Sequence, residues 1–66
     1  MRVTVNGTSR ELPEGTTVQQ LIDQLGLGGQ AVAAEVNKQL IPRKDRAQKP
    51  LHEGDSVELV SLVGGG

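Results

Sequence analysis

The chain has 66 residues with no Cys, Phe, Tyr or Trp, and its 7 basic and 8 acidic side chains leave a formal net charge of −1. A domain this short buries only roughly 60% of the surface its unfolded chain exposes, which leaves no room for an enclosed active site of its own. The composition excludes a disulfide scaffold, a thiol nucleophile, a thiolate metal site and an aromatic platform for stacking bases, and His52 cannot form a metal cluster alone.

Arg2 to Asn6 alternates Val3 and Val5 with polar neighbours, the period of a half-buried strand. Asn6-Gly7 predicts a type I′ hairpin turn, because both central positions need positive φ. Ser9 to Leu12 returns as a second strand, and Pro13-Glu14-Gly15 ends it. Thr16 or Thr17 suits a helix N-cap, with Gln19 or Gln20 three residues on, as a capping box requires. Val18, Leu21, Ile22 and Leu25 then mark one helix face, so the spacing predicts an amphipathic helix over Val18 to Leu25. Gly26 stands where a glycine closes a helix, with Leu27 as its hydrophobic contact.

Gly28-Gly29 reads as a loop. Ala31 to Val36 forms the next strand, with Val32, Ala34 and Val36 on one face. Asn37-Lys38-Gln39 turns the chain into a short strand at Leu40-Ile41. Pro42 cannot donate to a ladder, so that strand belongs at a sheet edge. Arg43 to Pro50 reads as a charged surface connection, and Arg43, Lys44, Arg46 and Lys49 as a solvated basic loop. Leu51 anchors its far end, and Glu53-Gly54-Asp55 is a turn that places His52 in solvent. The last strand runs from Ser56 to Val63. Val57, Leu59, Ser61 and Val63 share one face, and Ser56, Glu58, Val60 and Leu62 the other. Period alone leaves open which face is inside.

Strands gathered around a single helix predict an α+β domain, a sheet with the helix packed across one face. Residues 1–63 are expected to form the domain and 64–66 a flexible glycine tail. The near-neutral charge gives no electrostatic footprint for nucleic acid. There is no apolar run long enough to cross a bilayer and no signal peptide, so a cytoplasmic location is expected, with a monomer when free.

Element order and tail together resemble the ubiquitin-like sulfur carriers of the ThiS family. The likeness runs through Asn6-Gly7, Thr17-Val18-Gln19-Gln20-Leu21-Ile22, Val36-Asn37 and Ile41-Pro42-Arg43. It continues through Leu51, Gly54-Asp55 and Val57-Glu58-Leu59-Val60 to Val63-Gly64-Gly65-Gly66. Two positions depart from it: family members often carry an aromatic residue where this chain has Arg46 and Leu62. The resemblance implies a β-grasp fold, with a mixed sheet of four to five strands whose first and last members pair in parallel at its centre. It favours Val57 and Leu59 as core and implies that Val60 and Leu62 form an exposed docking patch.

The resemblance further implies that the chain is a carrier acted on by other enzymes, with no cofactor or metal of its own. Gly66 is then the modified residue. Its carboxylate is adenylated with ATP by a ThiF-like enzyme and becomes a thiocarboxylate, with sulfur from a cysteine desulfurase or another donor. A ThiG-like thiazole synthase of thiamine biosynthesis receives that sulfur. Gly64 and Gly65 thread the tail into a partner, and Val60, Leu62 and Arg43 are docking candidates. The residues suit that chemistry. A carboxylate has no good leaving group, and an anhydride with AMP supplies one. Glycines without Cβ pass a narrow channel and bend freely. No glycine-rich phosphate loop with its lysine is present, so the ATP machinery belongs to the partner. Two alternatives stand beside this reading: a carrier for molybdopterin, cysteine or tRNA thiolation, and a plain β-grasp binding module. Taken alone, three glycines also fit an unstructured terminus or a fusion remnant.

Overall fold

A computed structural model describes residues 1–62; Val63, Gly64, Gly65 and Gly66, and with them the expected tail, lie outside the described residues. Val3 and Val5 bury one face of β1 (Arg2–Val5). Asn6 and Gly7 take φ of 50° and 83°, the two positive values of a type I′ turn, and pair β1 with β2 (Thr8–Glu11) so that Val5 faces Thr8.

Thr17 is the N-cap of α1 (Val18–Gln24), and Gln20 is its capping-box partner. The Gln20 N–H donates to Thr17 Oγ1 at 3.2 Å, and the Thr17 N–H donates to Gln20 Oε1 at 2.9 Å. Two of the orphan donors at the helix start are thereby satisfied. Thr16, the other N-cap candidate, is buried and donates its hydroxyl to the Pro13 carbonyl at 2.8 Å. Leu25 is the C-cap, so the helix stops one residue short of the expected end. Gly26 adopts φ 76°; its N–H donates to Asp23 O at 3.0 Å and the Leu27 N–H to Ile22 O at 3.1 Å. This is a Schellman closure, which L-residues with a Cβ enter at a cost.

β3 (Val32–Val36), β4 (Gln39–Leu40) and β5 (Ser56–Ser61) complete a five-stranded sheet of order β2-β1-β5-β3-β4. The β1–β5 pair is parallel and the other pairs are antiparallel. Val18, Leu21 and Ile22 of α1 pack with Val3, Val5, Val32, Ala34, Val36, Val57 and Leu59 of the sheet, and Leu51 anchors the long connection in the same core. This is the β-grasp arrangement, with β4 at an edge ahead of Pro42.

The charged connection departs from expectation. Arg43–Gln48 forms a 3-10 helix, and Arg46 is buried rather than solvated. Its Nε donates to Ile41 O at 3.2 Å and its Nη2 to Val32 O at 2.6 Å. The cause lies in the sheet edge. The Ile41 N–H pairs with Ala34 O at 2.8 Å, and the chain then leaves β3 at Pro42, before the Arg43 N–H could continue the ladder to Val32. Val32 O, two residues along the same side of β3, loses the strand partner it needs. The planar guanidinium fork supplies that donor from the 3-10 helix.

Replacing Arg46 with Met keeps the apolar stem but removes both donors, stranding two carbonyls. Urea unfolding is expected to show a loss of about 2 kcal/mol. Arg46→Lys, with a point charge in place of the fork, is expected to recover only part of it.

Candidate functional site

β5 carries the chain to the expected reactive end, so its placement decides what a partner meets. Val57 and Leu59 are buried beneath α1, whereas Val60 is 55% and Leu62 62% exposed on the opposite face of the sheet. The question that period left open is thus answered: the helix covers Val57 and Leu59, and the docking candidates Val60 and Leu62 face outward.

Strand register adds a residue that the sequence reading did not select. Glu35 of β3 lies opposite Leu40 on one side and Glu58 on the other, and Ala33 lies opposite Val60. Directly paired residues share a face. Leu40, 61% exposed, therefore belongs to the same open face as Val60 and Leu62. Leu40-Ile41 is an apolar dipeptide, and only the strand pairing shows that Ile41 points inward and Leu40 outward. The carboxylates of Glu35 and Glu58 lie between Leu40 and the Val60–Leu62 end of this face. Neither has an ion pair or a hydrogen bond among the described residues.

Arg43 is exposed at the first position of the 3-10 helix. β4 runs back along β3 toward Val32, and Val32 is paired with Ser61. Arg43 thus stands at the end of the sheet from which β5 departs. Of the expected site residues, Val60 and Leu62 share the open face of β5 and Arg43 is exposed on the 3-10 helix; Gly64, Gly65 and Gly66 lie outside the described residues.

Two asparagines hold β5 in place. At the β1–β2 turn, Asn6 Nδ2 donates to Leu59 O at 3.2 Å and the Leu59 N–H donates to Asn6 Oδ1 at 2.8 Å. At the β3–β4 turn, the Asn37 N–H donates to Ser56 O at 2.7 Å and Asn37 Oδ1 accepts the Ser56 N–H at 2.9 Å. Asn37 Nδ2 also donates to Asp55 Oδ1 at 3.0 Å. Both asparagines have positive φ, 50° and 52°, a conformation Asn tolerates better than most residues. Each takes the turn's positive φ and holds β5 with both its backbone N–H and its side-chain amide.

Other described features lie apart from this face. An open depression between the β2–α1 loop and α1 is lined by Glu14, Gln20 and Asp23 among others, and no β5 residue reaches it. Among the described residues no group of three or more His, Cys, Asp or Glu is placed to hold a metal. No described helix is long and apolar enough to cross a membrane. His52 is exposed, with Nδ1 4.0 Å from Asp55 Oδ2.

Comparison with known proteins bears on this arrangement. The sequence model of the ThiS family matches residues 3–66. The chain is 30% identical over 66 residues to "Sulfur carrier protein ThiS" of Escherichia coli (strain K12), covering 100% of both chains. It is 35% identical over 66 residues to a thiazole synthase of Paramagnetospirillum magneticum, covering all of this chain and 20% of that protein. The chain spans about a fifth of the length of the thiazole synthases it matches. The crystal structure of a thiamine biosynthesis protein (ThiS) from Geobacter metallireducens superposes with a TM-score of 0.84 at 29% identity, covering 100% of both chains.

The two faces of β5 are separable by stability. Val60→Ala and Leu62→Ala are expected to change the unfolding free energy by less than about 0.5 kcal/mol. Leu59→Ala is expected to cost about 2–5 kcal/mol, read from urea titrations of the three variants.

Proposed function

The chain belongs to the ThiS family, and we propose that it is a sulfur carrier whose Gly66 carboxylate is adenylated and then converted to a thiocarboxylate for thiazole formation. The observation that carries this reading is the extent of the likeness. The family match runs from residue 3 to residue 66, through the closing glycines, and the full-length Escherichia coli relative is a sulfur carrier.

In this reading the carboxylate oxygen of Gly66 attacks the α-phosphorus of ATP within a ThiF-like enzyme, and pyrophosphate leaves. The acyl carbon then has AMP as a leaving group. A persulfide from a cysteine desulfurase displaces AMP to give an acyl disulfide, and a partner thiol cleaves its S–S bond, leaving the thiocarboxylate and a disulfide. A hydrosulfide donor gives the thiocarboxylate directly. The oxyanion and phosphate charges of these steps need donors and cations aimed at them, which the partner supplies. A ThiG-like thiazole synthase accepts the sulfur. The thiazole synthases of which this chain matches a fifth support that assignment, because a similar segment there accompanies the acceptor activity.

The folded body's part is to be held. Val60 and Leu62, with Leu40 farther across the same face, offer apolar area on the open face, and Arg43 offers charge at the end from which the tail leaves. Docking of this area offsets the backbone entropy that the glycines lose when they are threaded.

The direct test is intact mass after incubation with a cognate activating enzyme, ATP and a sulfur donor. The expected result is the gain of one oxygen-for-sulfur exchange. Deletion of Gly66 is expected to abolish the gain while leaving the melting temperature unchanged. An uncharged wild-type chain under conditions that charge another carrier would sink the reading.

A further inference from the structure

The hydrogen-bond parity of β5 exposes an unguarded strand edge. Residues of β5 alternate in the direction their backbone groups point. Ser56 and Leu62 address β3: the Asn37 N–H donates to Ser56 O, and the Leu62 N–H donates to Ala31 O at 2.8 Å. Val57 and Leu59 address β1: the Asn6 N–H donates to Val57 O at 2.9 Å, and the Asn6 amide takes both backbone groups of Leu59. Ser61 follows in the second series. β1 has already turned away at Asn6-Gly7, so the N–H and C=O of Ser61 have no partner on that side among the described residues.

The sheet's two outer edges are treated differently. β2 carries Arg10 and Glu11, and β4 is two residues long and is followed at once by Ile41-Pro42. Charge, brevity and proline are the usual means of keeping a strand edge from pairing with another chain. The stretch Val60-Ser61-Leu62 has only brevity among them. It has no charge, no proline and no bulge, and its two flanking side chains are apolar and exposed.

We propose that the enzyme taking the Gly66 carboxylate adds an extended segment of its own to this edge, pairing with the N–H and C=O of Ser61. The inference rests on the carrier reading and specifies the partner's mode of grip. Four residues separate Leu62 from the end of Gly66 and span at most about 14 Å. An active site that encloses the carboxylate must therefore bring its own chain past Ser61. Main-chain pairing holds an added strand while leaving its side chains free for specificity. It also fixes the advance of the tail at about 3.3 Å per residue, so the register at Ser61 sets how deep the carboxylate reaches. Val60 and Leu62 flank the paired residue on the open face and cover the new strand's contacts.

The test replaces the Val60–Ser61 peptide with an ester by chemical synthesis, which deletes the Ser61 N–H and weakens the Val60 carbonyl as an acceptor toward β3. Ester replacement at Leu62 removes the bond to Ala31 and serves as the stability control. The ester at Ser61 is expected to lower the melting temperature less than the ester at Leu62 does and to lower kcat/KM for adenylation by about three- to tenfold, as loss of one main-chain bond predicts. Ser61→Pro, which also blocks an incoming strand, is expected to lose more, and Ser61→Ala nothing. A folded ester analogue adenylated at the wild-type rate would overturn the proposal. Failure of the wild-type chain itself to be adenylated strikes the carrier reading instead, so the two failures are distinguishable.

Discussion

The parallel pairing of β1 with β5 is the constraint from which the rest of the structure follows. It places the last strand in the middle of the sheet, between β1 and β3, although in the carrier reading that strand leads to the reacting end. A strand held on two sides is a firm base for a tail. The base is extended by side chains where backbone runs out, since Asn6 continues the β1 ladder to Leu59 and Asn37 fastens the start of β5 at Ser56. Because β1 ends at a tight turn, the same pairing leaves Ser61 beyond its reach. Rigidity up to Leu59 and an open edge after it are two consequences of one register.

Much of this was legible in local sequence because the signals were local. Asn6-Gly7 forms the turn it predicts, and Gly26-Leu27 closes the helix as read. Alternation identified Val57 and Leu59 as one face, and the single helix shows that this face is inside. Val60 and Leu62 then fall outside by arithmetic. Other features had no local signal. Arg46 sits in a run of charges and reads as solvent-facing. Its burial follows from a demand created elsewhere, when Pro42 takes the chain away from β3 and leaves Val32 O without a strand partner. Leu40 looked like half of an apolar strand. Its outward direction depends on pairing with Glu35, which is a property of the sheet and not of the dipeptide. The expectation that Gly66 reacts rests on resemblance, since three glycines carry no side-chain chemistry, and Gly66 lies outside the described residues.

The division of labour follows from size. A domain of 66 residues can stabilise a sheet and one helix but cannot also shape a pocket around ATP. In the carrier reading it supplies one backbone carboxylate, a slim approach to it and a surface by which it is held. Every other group in the reaction belongs to partners. The open face suits that role: Leu40, Val60 and Leu62 are apolar, and the carboxylates of Glu35 and Glu58, without an ion pair among the described residues, suit a partner with a cation in an apolar surround. Selection among activating enzymes can then rest on this face while the chemistry stays common to all of them.

The central claim, that a backbone acid at Gly66 is the reacting group, is tested most directly by ATP–pyrophosphate exchange. A synthetic chain ending in a Gly66 carboxamide has the same fold and the same surface but no carboxylate. With a cognate activating enzyme, the carboxylate form is predicted to support exchange and the carboxamide form to support none. Equal exchange with both forms would contradict the account.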